Sequence, residues 1–262
     1  YMIVILSPAK TLNEKPQEYA FNPTTPGFLD ESQILVNKLQ KQSIKSLESL
    51  MSINRKIART NQERYKSWEL PFTPENAKPA VYLFRGEVYI GLDATSLDPS
   101  DMEFAQDHLR ILSGMYGLLR PLDLMRPYRL EMGTALKIKR KKNLYEFWGS
   151  KLGDTLTKTS ESHQHKVIIN LASAEYFRSI QPETFKIPII KPIFKENRGG
   201  SLKSISVYAK RARGLMARYI IENRLEEPEG IKSFNIDGYQ FSSKDSDRKE
   251  WVFVRPQTGL TA

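Results

Sequence analysis

The sequence predicts an α/β (α+β) protein, a mixed sheet flanked by helices around a basic cleft. Three observations predict it. Short apolar runs rich in β-branched and aromatic residues are interleaved with segments whose apolar positions recur near 3.6 residues. The 262 residues, 40% of them hydrophobic, suffice to bury one substantial core. Positive charge is gathered into three segments instead of being spread along the chain.

Residues 3–6, within Met2-Ile3-Val4-Ile5-Leu6, form the first strand-like run. Helical spacing follows over 29–39, 44–51 and 56–68, then a strand-like run over 80–84 and helical spacing over 102–113 and 144–157. Strand-like runs at 166–171, 187–190 and 204–208 precede a helix over 209–225, and a late strand pair lies near 239–241 and 251–254. There is no internal repeat, no low-complexity tract and no long linker. Residues 1–262 are therefore expected to form one compact unit, with residues 44–68 as a candidate helix-hairpin-helix element inside it. Tyr1, ahead of Met2, is expected to be a cloning remnant, and residues 257–262 to be frayed or tag-derived.

The net charge is +10. Residues 38–66 carry eight Lys/Arg against two acids, residues 126–142 seven against one, and residues 185–224 ten against two. Those excesses of six, six and eight leave the remainder of the chain at −10. Segregation of this kind predicts a basic surface suited to a polyanion, against the alternative of three solvated faces pointing apart.

With no cysteine, disulfides, thiolate nucleophiles, cysteine-bound metals and thiol redox sensing are excluded. The three histidines are His108, His163 and His165, the last two in a polar stretch expected to be a surface loop. No metal site and no cofactor are expected, and iron sequestration is disfavoured by the shortage of ligands. No apolar run reaches the roughly 18 residues of a membrane helix, and the opening apolar run is too short for a signal peptide. The expected setting is cytoplasmic, without membrane association.

Ser7-Pro8-Ala9-Lys10-Thr11 leaves the first strand, where strand ends commonly present ligand-binding loops. It also spells Ser-x-x-Lys, but the hydrolases that use that motif open a helix with the serine and carry companion motifs absent here. An anion- or base-binding loop and a plain structural turn remain. In residues 47–59, Leu47 and Leu50 would lie on one helix and Ile53 would plug the turn between Ser52 and Asn54. Ile57 and Ala58 would be the packed face of a second helix, with Arg55, Lys56 and Arg59 adding charge beside its N-terminal amides. Ser52 and Asn54 stand where glycine is usual in such hairpins, so an ordinary αα-corner is the competing account.

Gly114 and Gly117, in Leu112–Asp123, either stop a helix or admit another backbone. Arg120, Arg126, Tyr128, Arg129 and Glu131 follow within a short stretch and offer phosphate clamps, a stacking platform and an acid, or else an ion pair that organises loops. Residues 169–177 repeat the strand-then-polar-loop logic, so Asn170, Ser173, Glu175 and Tyr176 are expected at the same sheet edge as Lys10. In residues 208–218 the helical positions place Arg211, Gly214 and Arg218 on one stripe, beside Lys210 and Arg213. That stripe suits a phosphodiester if Gly214 does not simply pack.

The ordered blocks SPAKTL, FRGEVYIGLDA, HLRILSGMYGLLRPLDLMRPYRLEMG, FWG, NLASAEYF and YAKRARGLMARYIIENR closely resemble the YaaA family. The resemblance implies tolerance of hydrogen peroxide through limited iron-driven damage, an unusual α/β fold with a helix-hairpin-helix element, and a positively charged cleft that binds double-stranded DNA. It places the hairpin at residues 52–59. Ala174 departs from the aspartate usual in the family, so an enzymatic role falls to Lys10, Glu131 or Glu175.

The functional expectation is therefore a DNA-binding protein of the peroxide response that grips double-stranded DNA by its phosphates. The alternative is an enzyme acting on a nucleobase or damaged nucleotide. Ser52, Asn54, Arg55, Lys56, Arg59, Arg120, Arg126, Tyr128, Arg129, Lys210, Arg211, Arg213 and Arg218 are the expected nucleic-acid contacts, and Lys10, Glu131 and Glu175 the candidate catalytic groups.

Overall fold

The computed structural model describes residues 2–161 and 166–256; the expectations for Tyr1, for the loop carrying His163 and His165, and for residues 257–262 lie outside them. An eight-stranded mixed sheet forms the centre. Its strands are β1 (Met2–Leu6), β2 (Leu109–Ser113), β3 (Gly117–Leu119), β4 (Val167–Asn170), β5 (Ile189–Arg198), β6 (Ser201–Lys203), β7 (Gln240–Phe241) and β8 (Glu250–Pro256). They run in the order β7-β8-β5-β4-β1-β2-β3, with β6 paired to β5. The pairs of β1 with β2 and β4, of β4 with β5 and of β5 with β8 are parallel, and the outer pairs are antiparallel. Every residue of β1 is buried, as a central parallel strand covered on both faces requires.

The helices are α1 (Leu29–Leu39), α2 (Ile44–Met51), α3 (Arg55–Lys66), α4 (Ala80–Leu83), α5 (Glu87–Leu92), α6 (Pro99–His108), α7 (Leu144–Trp148), α8 (Lys151–Glu161), α9 (Ala174–Phe177) and α10 (Ser206–Glu222). One hydrophobic cluster runs from β1 and β4 through Trp148, Met115 and Leu35 to Phe253. α5 and α10 approach closely because each offers a glycine to the other. A Cβ on Gly214 would overlap the Val88 carbonyl oxygen, and one on Gly91 would overlap that of Arg211. At the far end of the sheet Glu196 and Arg255 are register partners on β5 and β8. They form a buried ion pair at 2.9 Å, and Arg255 also reaches Asp237.

Four expected elements differ. Residues 80–83 form helix α4 instead of a strand, anchored by Ala80 N–H to the Asp123 carbonyl (2.9 Å), and of that run only Phe84 is extended, pairing with Leu12; a five-residue apolar run carries no periodicity that separates helix from strand. The expected helix over 102–113 breaks at Leu109 into strand β2, because pairing of Leu109 with Val4 on β1 outweighs local helical spacing. The helix over 144–157 is divided at Gly149, whose φ of 52° ends α7. The β-branched run at 204–208 falls largely in α10, where packing on α5 overrides strand preference.

Candidate functional site

Strands β1 and β4 lie side by side and point the same way, and the chain proceeds from β1 toward β2 on its opposite side. The crevice beyond their carboxyl ends is thus the switch point of the sheet, where ligands of open α/β folds bind. The two strand ends are stitched together there. Ser173 N–H donates to Ser7 Oγ at 2.8 Å, and the Ser7 hydroxyl donates to Ser173 Oγ at 3.2 Å. Above them lies a cleft of about 460 Å³, a size suited to a nucleotide or smaller ligand and far too small for a duplex.

Lys10 comes from the loop after β1, Arg85 from the approach to α5 and Glu87 from its first position, Arg129 and Glu131 from the segment after β3, Glu175 from α9, and Lys210 and Arg213 from α10. The lining thus brings five cations together with three carboxylates. One carboxylate oxygen of Glu131 receives both Lys10 Nζ (2.6 Å) and Arg129 Nη2 (3.1 Å). Glu175 is held by Gly133 N–H, which donates to its Oε1 at 2.8 Å. Lys210 and Arg213 form no ion pair among the described residues, and burial pulls the Arg213 pKa down without removing its charge at neutral pH.

The floor is aromatic. Tyr89 donates to the Ser7 carbonyl (2.9 Å), Tyr128 pairs with Ser113 Oγ (2.7 Å), and Tyr176 has a backbone hydrogen bond with Met132. Burial pushes all three phenols well above their ordinary value, so they offer a neutral surface and no phenolate. Gly114 explains how residues 128–131 reach this position, since a Cβ there would overlap the Leu130 carbonyl oxygen.

The expected DNA contacts divide into three groups. Arg129, Lys210 and Arg213 meet Lys10, Glu131 and Glu175 in the cleft. Ser52, Asn54, Arg55, Lys56 and Arg59 sit together at the turn between α2 and α3. Ser52 takes the left-handed conformation (φ 51°), while Asn54 is extended and its side chain caps Ile57 N–H at 2.9 Å. Arg55, Lys56 and Arg59 are exposed and free of ion pairs among the described residues. The turn is joined to the cleft through α3, whose Tyr65 hydroxyl donates to the Arg129 carbonyl.

Of the remaining five, three arginines are held by internal contacts. Arg120 binds Asp123 through its backbone N–H (2.8 Å), Nε (3.2 Å) and Nη2 (3.0 Å), so it organises a loop. Arg126 faces Glu69 at 3.6 Å. Tyr128 is buried with its ring edge-on to Phe84 and Tyr116, so it is no exposed stacking platform. Arg218 donates to the Leu92 carbonyl (3.1 Å), the Asp93 carbonyl (2.8 Å) and Ser96 Oγ (2.8 Å), which makes the Gly214 stripe a packing face. Arg211 is exposed on α10 outside the cleft lining. Asn170 likewise serves structure, its Oδ1 accepting from Ala172 N–H at 3.0 Å.

Sequence reasoning passed over Arg85, Glu87 and Tyr89. The available signal was Gly86, a break between an apolar run and a short amphipathic one; pairing of Arg85 with Thr11 carries that break to the mouth of the cleft. A larger groove of about 680 Å³ lies between residues 14–19 and 74–78. Of its two lysines, Lys78 is tied to the carbonyls of Asn13 and Lys15 (both 3.0 Å), so the cleft at the strand ends, with its five cations, is the better candidate. Among the described residues no group of three or more His, Cys, Asp or Glu stands where it would hold a metal ion, and no helix is long and apolar enough to cross a membrane.

A mixed α/β protein with a charged cleft at the carboxyl edge of its parallel strands is the class these observations define. The chain belongs to the peroxide stress protein YaaA family, whose sequence model matches residues 2–245. It is 48% identical over 256 residues to a UPF0246 protein of Neisseria gonorrhoeae, spanning 98% of this chain and 99% of the relative. It is 47% identical over 254 residues to one of Polynucleobacter necessarius (97% and 98%) and 46% identical over 256 residues to one of Burkholderia vietnamiensis (97% and 98%).

Proposed function

We propose that the protein acts in the peroxide response by binding double-stranded DNA through its phosphate backbone. The start of α3 forms one contact and the cleft a second. The observation that carries this reading is the charge of α3. Its first turn holds Arg55 and Lys56 and no acid, with Arg59 a turn later, although the helix dipole disfavours cations at that end by about 0.3–1 kcal/mol each. A local rule broken without internal compensation marks a functional surface, and a phosphate facing the free amides and guanidinium groups would relieve the cost. Arg55 and Tyr65 are ten residues apart, about 15 Å along the helix, so one polyanion can reach both the turn and the Arg129 segment.

The test is duplex affinity across a salt series. Four or more phosphate contacts lower affinity by about a hundredfold between roughly 50 and 200 mM salt. A flat dependence overturns the reading. The contact of Lys10 with Glu131 favours a second, enzymatic reading of the same cleft, action on a damaged nucleotide, since an amine held against a proton acceptor is the arrangement that covalent chemistry on a sugar needs.

A further inference from the structure

The cleft contains more than an electrostatic grip on DNA requires. A backbone-binding groove needs cations that are free to meet phosphates, yet Lys10 and Arg129 are both committed to one oxygen of Glu131. Lys210 and Arg213 are left uncommitted a short way along the lining. Among the described residues Glu131 and Glu175 each keep an oxygen without a protein partner: Glu131 uses only Oε1 for its two cations, and Glu175 uses Oε1 for Gly133 N–H. The Lys10 side chain is 67% exposed, above an aromatic floor formed by Tyr89, Tyr128 and Tyr176. Amine, adjoining proton acceptor, second oriented base and separate phosphate anchors are the parts that imine chemistry on an aldehyde sugar phosphate needs.

We propose that the cleft takes one sugar extruded from a damaged strand, the ring-opened aldehyde of an abasic deoxyribose, and that Lys10 condenses with its C1′. Glu131 accepts a proton from the Lys10 ammonium, and the amine adds to the carbonyl carbon. Glu131 returns that proton to the carbinolamine hydroxyl, which departs as water and leaves a protonated imine. Glu175 removes a proton from C2′, and the electron pair of that C–H bond forms the C2′=C3′ double bond as the C3′–O bond breaks. Its bonding pair leaves with the 5′-phosphate of the downstream strand. Water then hydrolyses the imine, returning the molecule lost in condensation and regenerating Lys10, so no oxidant or reductant is consumed. Lys210 and Arg213 hold the flanking phosphates. Extrusion fits the cleft volume, which admits a single nucleotide and no duplex.

This inference rests on the DNA-binding reading, and the experiment separates the two. The full chain is incubated with sodium borohydride and either a duplex carrying one abasic position or free deoxyribose 5-phosphate, and covalent adducts are located by intact and peptide mass. Binding of the same duplex is followed by anisotropy without borohydride. The expected result is adduct formation with both, at Lys10, and loss of the adduct in Lys10→Arg and Lys10→Met while duplex affinity changes less than about twofold, since Lys10 is held by Glu131 and the phosphate contacts fall to other cations. Binding without an adduct from either aldehyde overturns the proposal and leaves the DNA reading standing. An adduct at another lysine overturns the assignment to Lys10. An adduct from the free sugar phosphate with no duplex binding overturns the DNA reading and with it the claim that the sugar arrives in a strand. A folded Lys10→Arg protein, checked by circular dichroism, that still forms the adduct also overturns it.

Discussion

Gly214 of α10 rests directly on Val88 of α5, with no room for a side chain between them, since a Cβ at 214 would overlap the Val88 carbonyl oxygen and stand 2.8 Å from Leu92 N. Those atoms are backbone and cannot swing aside. Gly214→Ala is therefore expected to push the two helices apart and to cost about 1–3 kcal/mol, as overpacking does. Urea denaturation measures the loss. Because Lys210 and Arg213 ride on α10 and Tyr89 on α5, the same substitution should also widen the cleft.

Arg218 and Arg55 carry the same charge and should behave in opposite ways. Truncation of Arg218 to Ala removes three hydrogen bonds to α5 and the turn after it, with an expected loss of about 1–3 kcal/mol and an unchanged salt slope for DNA. The double change Arg55→Ala with Arg59→Ala removes exposed charge from a helix start. Stability should stay within about 0.5 kcal/mol or rise slightly, while the salt slope of duplex binding falls by about two contacts. Unchanged affinity in the folded double variant would remove the α3 contact from the proposed function.

His108 makes stability depend on pH. Burial pushes its imidazole below the ordinary 6.5; the ring stacks on Phe104 at 3.8 Å, and Nδ1 lies 3.0 Å from the Met2 carbonyl oxygen. The folded state therefore favours the neutral ring, whereas the unfolded chain takes up a proton from about pH 6.5 downward. The contribution is complete above that value and is lost as pH falls through the lower, folded value. Denaturation midpoints of wild type and His108→Gln should converge on acidification from about pH 7.5 to 5.5; parallel curves would contradict this assignment.

Much of this arrangement was legible before the fold. α1 and α2 begin and end where apolar spacing places them, and the loops after β1 and β4 do meet at one edge. What could not be read was set by contacts distant in sequence. Leu109–Ser113 is a strand because Val4 and Ile5 lie beside it, and Arg218 is a structural clamp because the carbonyls of Leu92 and Asp93 end within its reach. A composition of basic residues marks which segments carry charge, but only the fold decides which guanidinium groups find internal acceptors.

The hydroxyl of Tyr65 illustrates the same point and can be tested. It donates to the Arg129 carbonyl, tying the basic helix to the cleft across 64 residues of sequence. Tyr65→Phe should leave that part-buried carbonyl without its donor and cost about 1–3 kcal/mol. Loss of order at Arg129, read by hydrogen exchange of residues 126–131, should accompany it. A variant as stable as wild type would show that the contact is dispensable.

Glu131→Gln sets the two readings of the cleft against each other. The carboxylate neutralises Lys10 and Arg129 together, so its replacement adds one positive charge and frees two cations for phosphate. Pairs of this exposure contribute only about 0–1 kcal/mol, so the fold should survive. Duplex affinity should then rise and its salt slope steepen by one to two contacts, at about 0.9 per phosphate. If Glu131 also accepts the proton that frees the Lys10 amine, adduct formation with an abasic duplex should fall in the same protein. Tighter binding with weaker trapping is the signature of a carboxylate placed for chemistry; a rise in both would leave Glu131 a charge-balancing group and Lys10 an ordinary phosphate contact.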